Sequence, residues 1–178
     1  VALYGRRRVG KTYLIKQTFK DKFTFSHSGL ANGSLQEQLY GWRSSLENAG
    51  YAAPSTPKHW LEAFDKLKEL IRQSSAKKKV VFDEMPWMDT PRSKFVTALE
   101  FFWNGWASMR DDILLIICGS ATSWIINKIF RNHGGLHNRV NYQIFLEPFT
   151  LHECEEYSEA MGLAYSRYDL LEAYMVMG

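Results

Sequence analysis

"GRRRVGKT", Gly5 to Thr12, follows directly on the apolar run "VALY", Val1 to Tyr4. In the pattern G-x-x-x-x-G-K-[ST], the glycines let the chain curl so that successive backbone N–H groups point inward at phosphates. The lysine reaches the outer two phosphates and the hydroxyl is offered to magnesium. A buried strand entering the loop and a helix leaving it are the context the motif needs, and the positive end of the helix dipole adds to the anion site. The spacing predicts a nucleotide site made by Gly5, Arg6, Arg7, Arg8, Val9, Gly10, Lys11, Thr12 and Tyr13, with Thr12 as a magnesium ligand. The plain alternative is a glycine-rich strand-to-helix turn with an incidental lysine.

Magnesium then needs an acidic tether at the end of a neighbouring strand. "KKKVVFDEMPW" supplies one, because three apolar residues run into Asp83 and Glu84. Asp83 is placed to hold the ion, and Glu84, one residue further out, to orient and deprotonate an attacking water. That favours hydrolysis over transfer to a metabolite. Lys77 to Lys79 read as a solvated approach to the strand. A third element ends the apolar run in "ILLIICGSATSW", where Ser120, or next Thr122, is placed to bond the water or the γ-phosphate; the competing reading makes Thr122 or Ser123 the N-cap of the following helix. Arg139, in "NRV", is a candidate for meeting a γ-phosphate, its own or a neighbour's, against the simpler reading of a surface charge. "NKIF" from Asn127 lacks the final acid of a guanine-reading tetrad and looks helical, which leaves adenine as the default base.

Around these motifs the chain alternates short apolar runs with amphipathic stretches. Strands are expected at 1–4, 23–25, 80–82, 113–118 and 142–146. Helices follow Lys11, with Leu14, Ile15, Thr18 and Phe19 on one face; Ser34, with Leu35, Leu39, Trp42 and Leu46; and begin near Trp60, with Leu61, Phe64, Leu67 and Ile71. Further helices start near Ser93 and Ser123 and at Thr150. Ser34 with Glu37 and Thr150 with Glu153 have capping-box spacing. Fully apolar short strands separated by amphipathic helices mean an α/β fold, a parallel sheet covered by helices on both faces.

The 178 residues, 46% hydrophobic and 15% aromatic, suffice for one well-filled core. The net charge of +3 is too small and scattered to call a nucleic-acid partner. Two cysteines without paired spacing fit a reducing cytoplasm. The longest apolar run, "ILLIIC", is far short of the roughly 20 residues that span a bilayer, so no membrane role is expected. The chain opens inside a strand and closes on "MVMG", which suggests a piece of a longer protein.

Taken together, "YGRRRVGKT", "VVFDEMPW", "LLIICGSATSW", "GGLHNRV" and "IFLEPFTLHECEEY" resemble the ATPase domain found mainly in archaea and also in gut bacteria, in the signal-transduction branch of the AAA+ superfamily. The likeness runs nearly end to end. The arginine triplet and "LEPFTLHE" carry it most specifically. The resemblance implies a three-layer P-loop NTPase of the ASCE type spanning 1–178, with the phosphate-loop strand central between the strands ending at Phe82 and Cys118. It also implies ATP and magnesium as cofactors and slow or regulated turnover. It further implies an N-terminal segment, a lid and a C-terminal output domain outside this sequence, through which self-association or a protein or nucleic-acid partner would act. Arg6 to Arg8 are expected on the rim of the loop, facing a lid, a partner or simply solvent.

The function expected is a nucleotide-driven ATPase switch. The alternatives are an ATP-binding module with little turnover, a small-molecule kinase, for which no acceptor pocket is apparent, and a DNA-handling ATPase with Trp87, Trp103 and Trp106 as a stacking surface. Against the last, Trp103 and Trp106 share helical spacing with apolar neighbours, which is the pattern of core packing.

Overall fold

The computed structural model describes residues 1–20, 22–53, 55–73, 76–131, 136 and 138–177. Five parallel strands form one sheet: β1 (Ala2–Tyr4), β2 (Phe25–Ser28), β3 (Lys78–Asp83), β4 (Ile113–Gly119) and β5 (Gln143–Phe145), in the order β2-β3-β4-β1-β5. The helices are α1 (Lys11–Phe19), α2 (Leu35–Asn48), α3 (Trp60–Gln73), α4 (Phe95–Gly105), α5 (Thr122–Ile125, widening to π geometry over Ile126–Phe130), α6 (Leu151–Ala160) and α7 (Arg167–Met177). The α/β architecture expected from the alternation of apolar runs and helices is the one found.

One sheet neighbour differs from expectation. The phosphate-loop strand β1 lies between β4 and β5, and the Asp83 strand β3 stands one place further out, beyond β4. The order follows from two long crossovers, β1 to β2 across three places and β4 to β5 across two, which no local pattern encodes.

Alternation along the strands divides the interior. Ala2, Phe25, Val80, Phe82 and Ile117 face α2, α3, α4 and α5, while Leu3, Val81, Ile116 and Cys118 face Ile15 of α1. Trp42 of α2 is the hub of the larger side: its ring lies 4.8 to 5.4 Å from those of Phe25, His27, Trp60, Phe64 and Phe82, and its indole N–H donates to the Ala63 carbonyl at 3.1 Å. The indole therefore fills core volume without leaving a stranded donor.

The helix starts at Ser34 and Thr150 are true capping boxes, each side chain accepting from the N3 backbone and each N3 glutamate accepting from the cap. Two predicted faces need correction. Leu14 and Leu61 are exposed at 41% and 46%, and the buried residues of α1 are Lys11 and Ile15, one turn apart. Helix α7 lies beyond the predicted elements; Ser166 and Asp169 open it with a reciprocal pair at 2.6 to 3.2 Å, the same spacing with aspartate in the glutamate's place. Strand β2 begins two residues later than expected, at Phe25.

Candidate phosphate and metal site

All the strands are parallel, so their C-terminal ends share one edge of the sheet. The residues that follow β1, β3 and β4 at that edge are the predicted loop, Asp83 with Glu84, and Ser120. The loop leaves β1 at Gly5, where the backbone is pressed against β5: a Cβ there would stand 2.2 Å from the Leu146 carbonyl oxygen, and φ is +151°, so only glycine fits. Arg8 (φ 66°) and Gly10 (φ 85°) take left-handed conformations that complete the curl. Gly10 caps α1 without any side-chain hydrogen bond, and the first turn of α1 holds no acidic residue. The amides that open this helix are thus unused by side-chain caps, in the manner of an anion site.

Lys11 is 6% exposed and its ammonium lies back over the loop, donating to the carbonyls of Gly5 at 3.1 Å and Arg6 at 2.5 Å. Arg6, Arg7 and Arg8 are exposed, on the rim as expected; Val9 is half-buried and Tyr13 exposed. The Thr12 hydroxyl donates to Asp83 Oδ2 at 2.7 Å, crossing from the loop to a strand two places away. Asp83 Oδ1 accepts the Glu84 N–H at 2.8 Å. Glu84 itself stands at φ 44°, ψ 39°, which turns its side chain to accept the Ser120 hydroxyl on Oε2 at 3.1 Å. Beneath them Cys118 is buried; desolvation first, and then the neighbouring Asp83 carboxylate, push its thiol pKa up, so it is an inert thiol.

Among the described residues, no lysine, arginine or histidine forms an ion pair with Asp83. An uncompensated carboxylate touching a hydroxyl is a hard-oxygen donor pair, and these donors fit magnesium, which takes one or two carboxylates and keeps several waters.

Ser120 is the strand-tip residue brought to Glu84. The helix N-cap reading of Thr122 and Ser123 is not what forms: Ala121 is the cap, without a side-chain bond. "NKIF" lies in the π turn of α5. Of "GGLHNRV", only Leu136 and Asn138–Val140 are described; Gly134, Gly135 and His137 lie outside the described residues.

Arg139 is exposed and is not brought to its own loop. It precedes β5 and lines a cavity of about 410 Å³ with Val1, Ile113, Leu115 and Tyr142, where β1, β4 and β5 begin. The phosphate loop is at the other edge, roughly 20 Å away along the seven residues of β4. Of the readings of Arg139, its own phosphate is out of reach, which leaves a neighbour's phosphate or a plain surface charge.

Core packing, the favoured reading of Trp103 and Trp106 over a stacking surface, is what forms. Trp103 and Trp106 pack against the core, Trp106 lying between Arg72 and Arg110 at 5.5 and 5.0 Å from the guanidinium carbons, and Trp87 is half-buried. Lys78, read as solvated, is 3% exposed and paired with Asp112 at 2.6 Å. Its partner lies 34 residues on, out of reach of any local pattern.

No family model matches the sequence, and no curated protein matches it. Among solved structures, the Walker-type ATPase PABY2304 of Pyrococcus abyssi superposes with TM-score 0.65 at 17% identity, over 97% of this chain and 57% of that one. The ORC2 protein of Aeropyrum pernix, in ADPNP and ADP complexes, gives 0.64 at 17%, over 89% and 44%. CDC6p of Pyrobaculum aerophilum gives 0.61 at 20%, over 96% and 46%. The chain spans about half the length of these structures. No helix of the described residues is long and apolar enough to cross a membrane. The chain has the α/β P-loop fold of the archaeal Walker-type and ORC/Cdc6 ATPases, as its resemblance to archaeal AAA+ domains leads one to expect.

Proposed function

We propose that this chain binds ATP with magnesium and hydrolyses it slowly, as a nucleotide-driven switch. The observation that carries the reading is the 2.7 Å bond from Thr12 to Asp83, which joins the phosphate loop to a carboxylate that has no cationic partner among the described residues. In this reading Lys11 exchanges the Gly5 and Arg6 carbonyls for the outer phosphate oxygens. Thr12 and Asp83 hold magnesium, which when bound neutralises charge on those phosphates. Glu84 has two carboxylate oxygens: one is held by Ser120, and the other takes the proton of the attacking water. Ser120 is thus the positioning residue that keeps the base in place.

Stabilising the phosphoryl group in flight needs positive charge beyond Lys11. Arg139 stands at the far edge of its own sheet, so it serves the site of a second copy, and turnover depends on self-association.

Calorimetry with magnesium ATP tests the reading at its root. Lys11→Ala removes the charge that meets the outer phosphates, and measurable binding should vanish, because backbone amides alone hold a tetra-anion poorly. Unchanged affinity in that variant would sink the assignment.

A further inference from the structure

Tyr13 immediately follows Thr12, and half of its surface is exposed. It neighbours Tyr157 on α6, whose hydroxyl pKa is raised first by the Tyr13 side chain. Tyr157, 39% exposed, in turn holds Phe149, 50% exposed, with ring centroids 5.9 Å apart and planes tilted by 42°. Three neighbouring aromatic side chains are therefore left facing solvent beside a loop made for phosphates, where packing gives no account of them.

The sheet order says which end of a ligand they meet. Glu84 and Ser120 follow β3 and β4, on one side of β1. Phe149 and Tyr157 follow β5, on the other side. The chain that carries them departs from beside the loop itself, since the Leu146 N–H donates to the Tyr4 carbonyl at 2.7 Å and the Leu146 carbonyl presses on Gly5. A ligand whose terminal phosphate lies near Ser120, and whose inner phosphates follow the loop to the start of α1, must carry its remaining bulk past Tyr13 toward α6. In a nucleoside triphosphate that bulk is the ribose and a flat, apolar-faced base, and aromatic rings are the side chains on which any base can stack.

We propose that Tyr13, Phe149 and Tyr157 form the platform that receives the nucleobase, an inference that rests on the phosphate assignment of the loop. Stacking supplies affinity with little choice among bases, and the two tyrosine hydroxyls offer donors and acceptors to the edge of the ring. Because α6 bears one of the three side chains, the platform also makes the position of α6 sensitive to the nucleotide.

The test compares magnesium ATP with magnesium tripolyphosphate, which has the phosphates and no base, by titration calorimetry of the purified protein. The parent should bind ATP at least about 10-fold more tightly than tripolyphosphate. Phe149→Leu combined with Tyr157→Leu, which keeps apolar bulk, should cut ATP affinity by about 10-fold and leave tripolyphosphate affinity unchanged; Tyr13→Leu should act in the same direction. Thermal melts check that each variant is folded, and Tyr157→Phe, which keeps the ring, should retain most of the ATP affinity. Equal affinity of the parent for ATP and tripolyphosphate overturns the platform while leaving the loop assignment standing. Equal weakening of both ligands in the variants, or none, also overturns it. If the parent binds neither ligand, the loop assignment falls and the platform with it.

Discussion

Asp83 and Asp112 sit at opposite edges of two adjoining strands, one at the end of β3 and the other just before β4, and they have opposite surroundings. Asp112 takes the Arg110 guanidinium on both oxygens at 2.9 and 2.7 Å and the buried Lys78 ammonium at 2.6 Å. Its carboxyl pKa is driven far below the ordinary range by Arg110 first and Lys78 second. Asp83 has for partners a hydroxyl and a backbone N–H. The same side chain is a finished ion pair at one edge and an unspent charge at the other. A strand end that leaves a carboxylate without a cation is a place where a cation from solvent can bind. The edge that satisfies its charges holds the fold together.

Function breaks the comparison most sharply through Arg139 and Glu84, which belong to opposite edges but, in the proposed assembly, to one reaction. Arg139→Ala should lower ATP turnover by about a thousandfold. Glu84→Gln keeps shape but loses basicity, so ATP should still bind while phosphate release falls by about 100-fold. Mixing the two inactive proteins restores part of the activity if the arginine works in a neighbour's site, since some interfaces then pair an intact Glu84 with an intact Arg139. Recovery of nothing on mixing would return Arg139 to an ordinary surface charge.

The aspartates sharpen it. Asp83→Asn should lose the magnesium-dependent part of ATP affinity and leave the thermal midpoint nearly unchanged, because the amide oxygen keeps the Glu84 N–H and the amide NH2 can donate to the Thr12 hydroxyl. Asp112→Asn should do the reverse: the buried Lys78 loses its counter-charge, the melting temperature falls by several degrees, and nucleotide affinity is untouched. Calorimetry and thermal melts on the same two variants decide it. A midpoint that fell alike in both would erase the distinction between the edges.

These edges were unequally legible in the sequence. The phosphate edge is written locally: Gly5, Lys11 and Thr12 in one loop, and Asp83 and Glu84 at the end of one apolar run. What had to be found in space was that Ser120 meets Glu84 and that Arg139 lies too far from its own loop, because both depend on strand order. At the other edge, Lys78 looked solvated because lysines flank it, and its partner Asp112 comes from the next strand's approach. Helix α7 was missed because its apolar residues are spread around the helix, Leu171, Met175 and Val176 being 40% to 85% exposed, so no single stripe marks it. Its Ser166 and Asp169 opening was the available signal.

His27 belongs to neither kind of edge and gives the smallest effect. It stands on β2 opposite Phe82, one residue before the pair Ser28 and Asp83, and is 4% exposed among Phe25 and Trp42. Its Nδ1 meets the Ser45 hydroxyl at 2.9 Å, and Nε2 has no partner among the described residues. Burial lowers its pKa from 6.5 to about 4, so the folded protein holds the ring neutral where the unfolded chain would protonate it. The linkage has one sign: the contribution is fully present above pH 6.5, is lost as pH falls from 6.5 toward about 4, and levels off below that. The shift corresponds to about 3 kcal/mol at most, lost over that window. Denaturant midpoints measured from pH 7 to 4 should therefore fall more steeply for the parent than for His27→Gln, which cannot take up the proton. Carboxylates depress both curves equally and cancel in the difference. Parallel curves would mean that the imidazole gains a proton without cost, and that the interior around Trp42 admits water to Nε2.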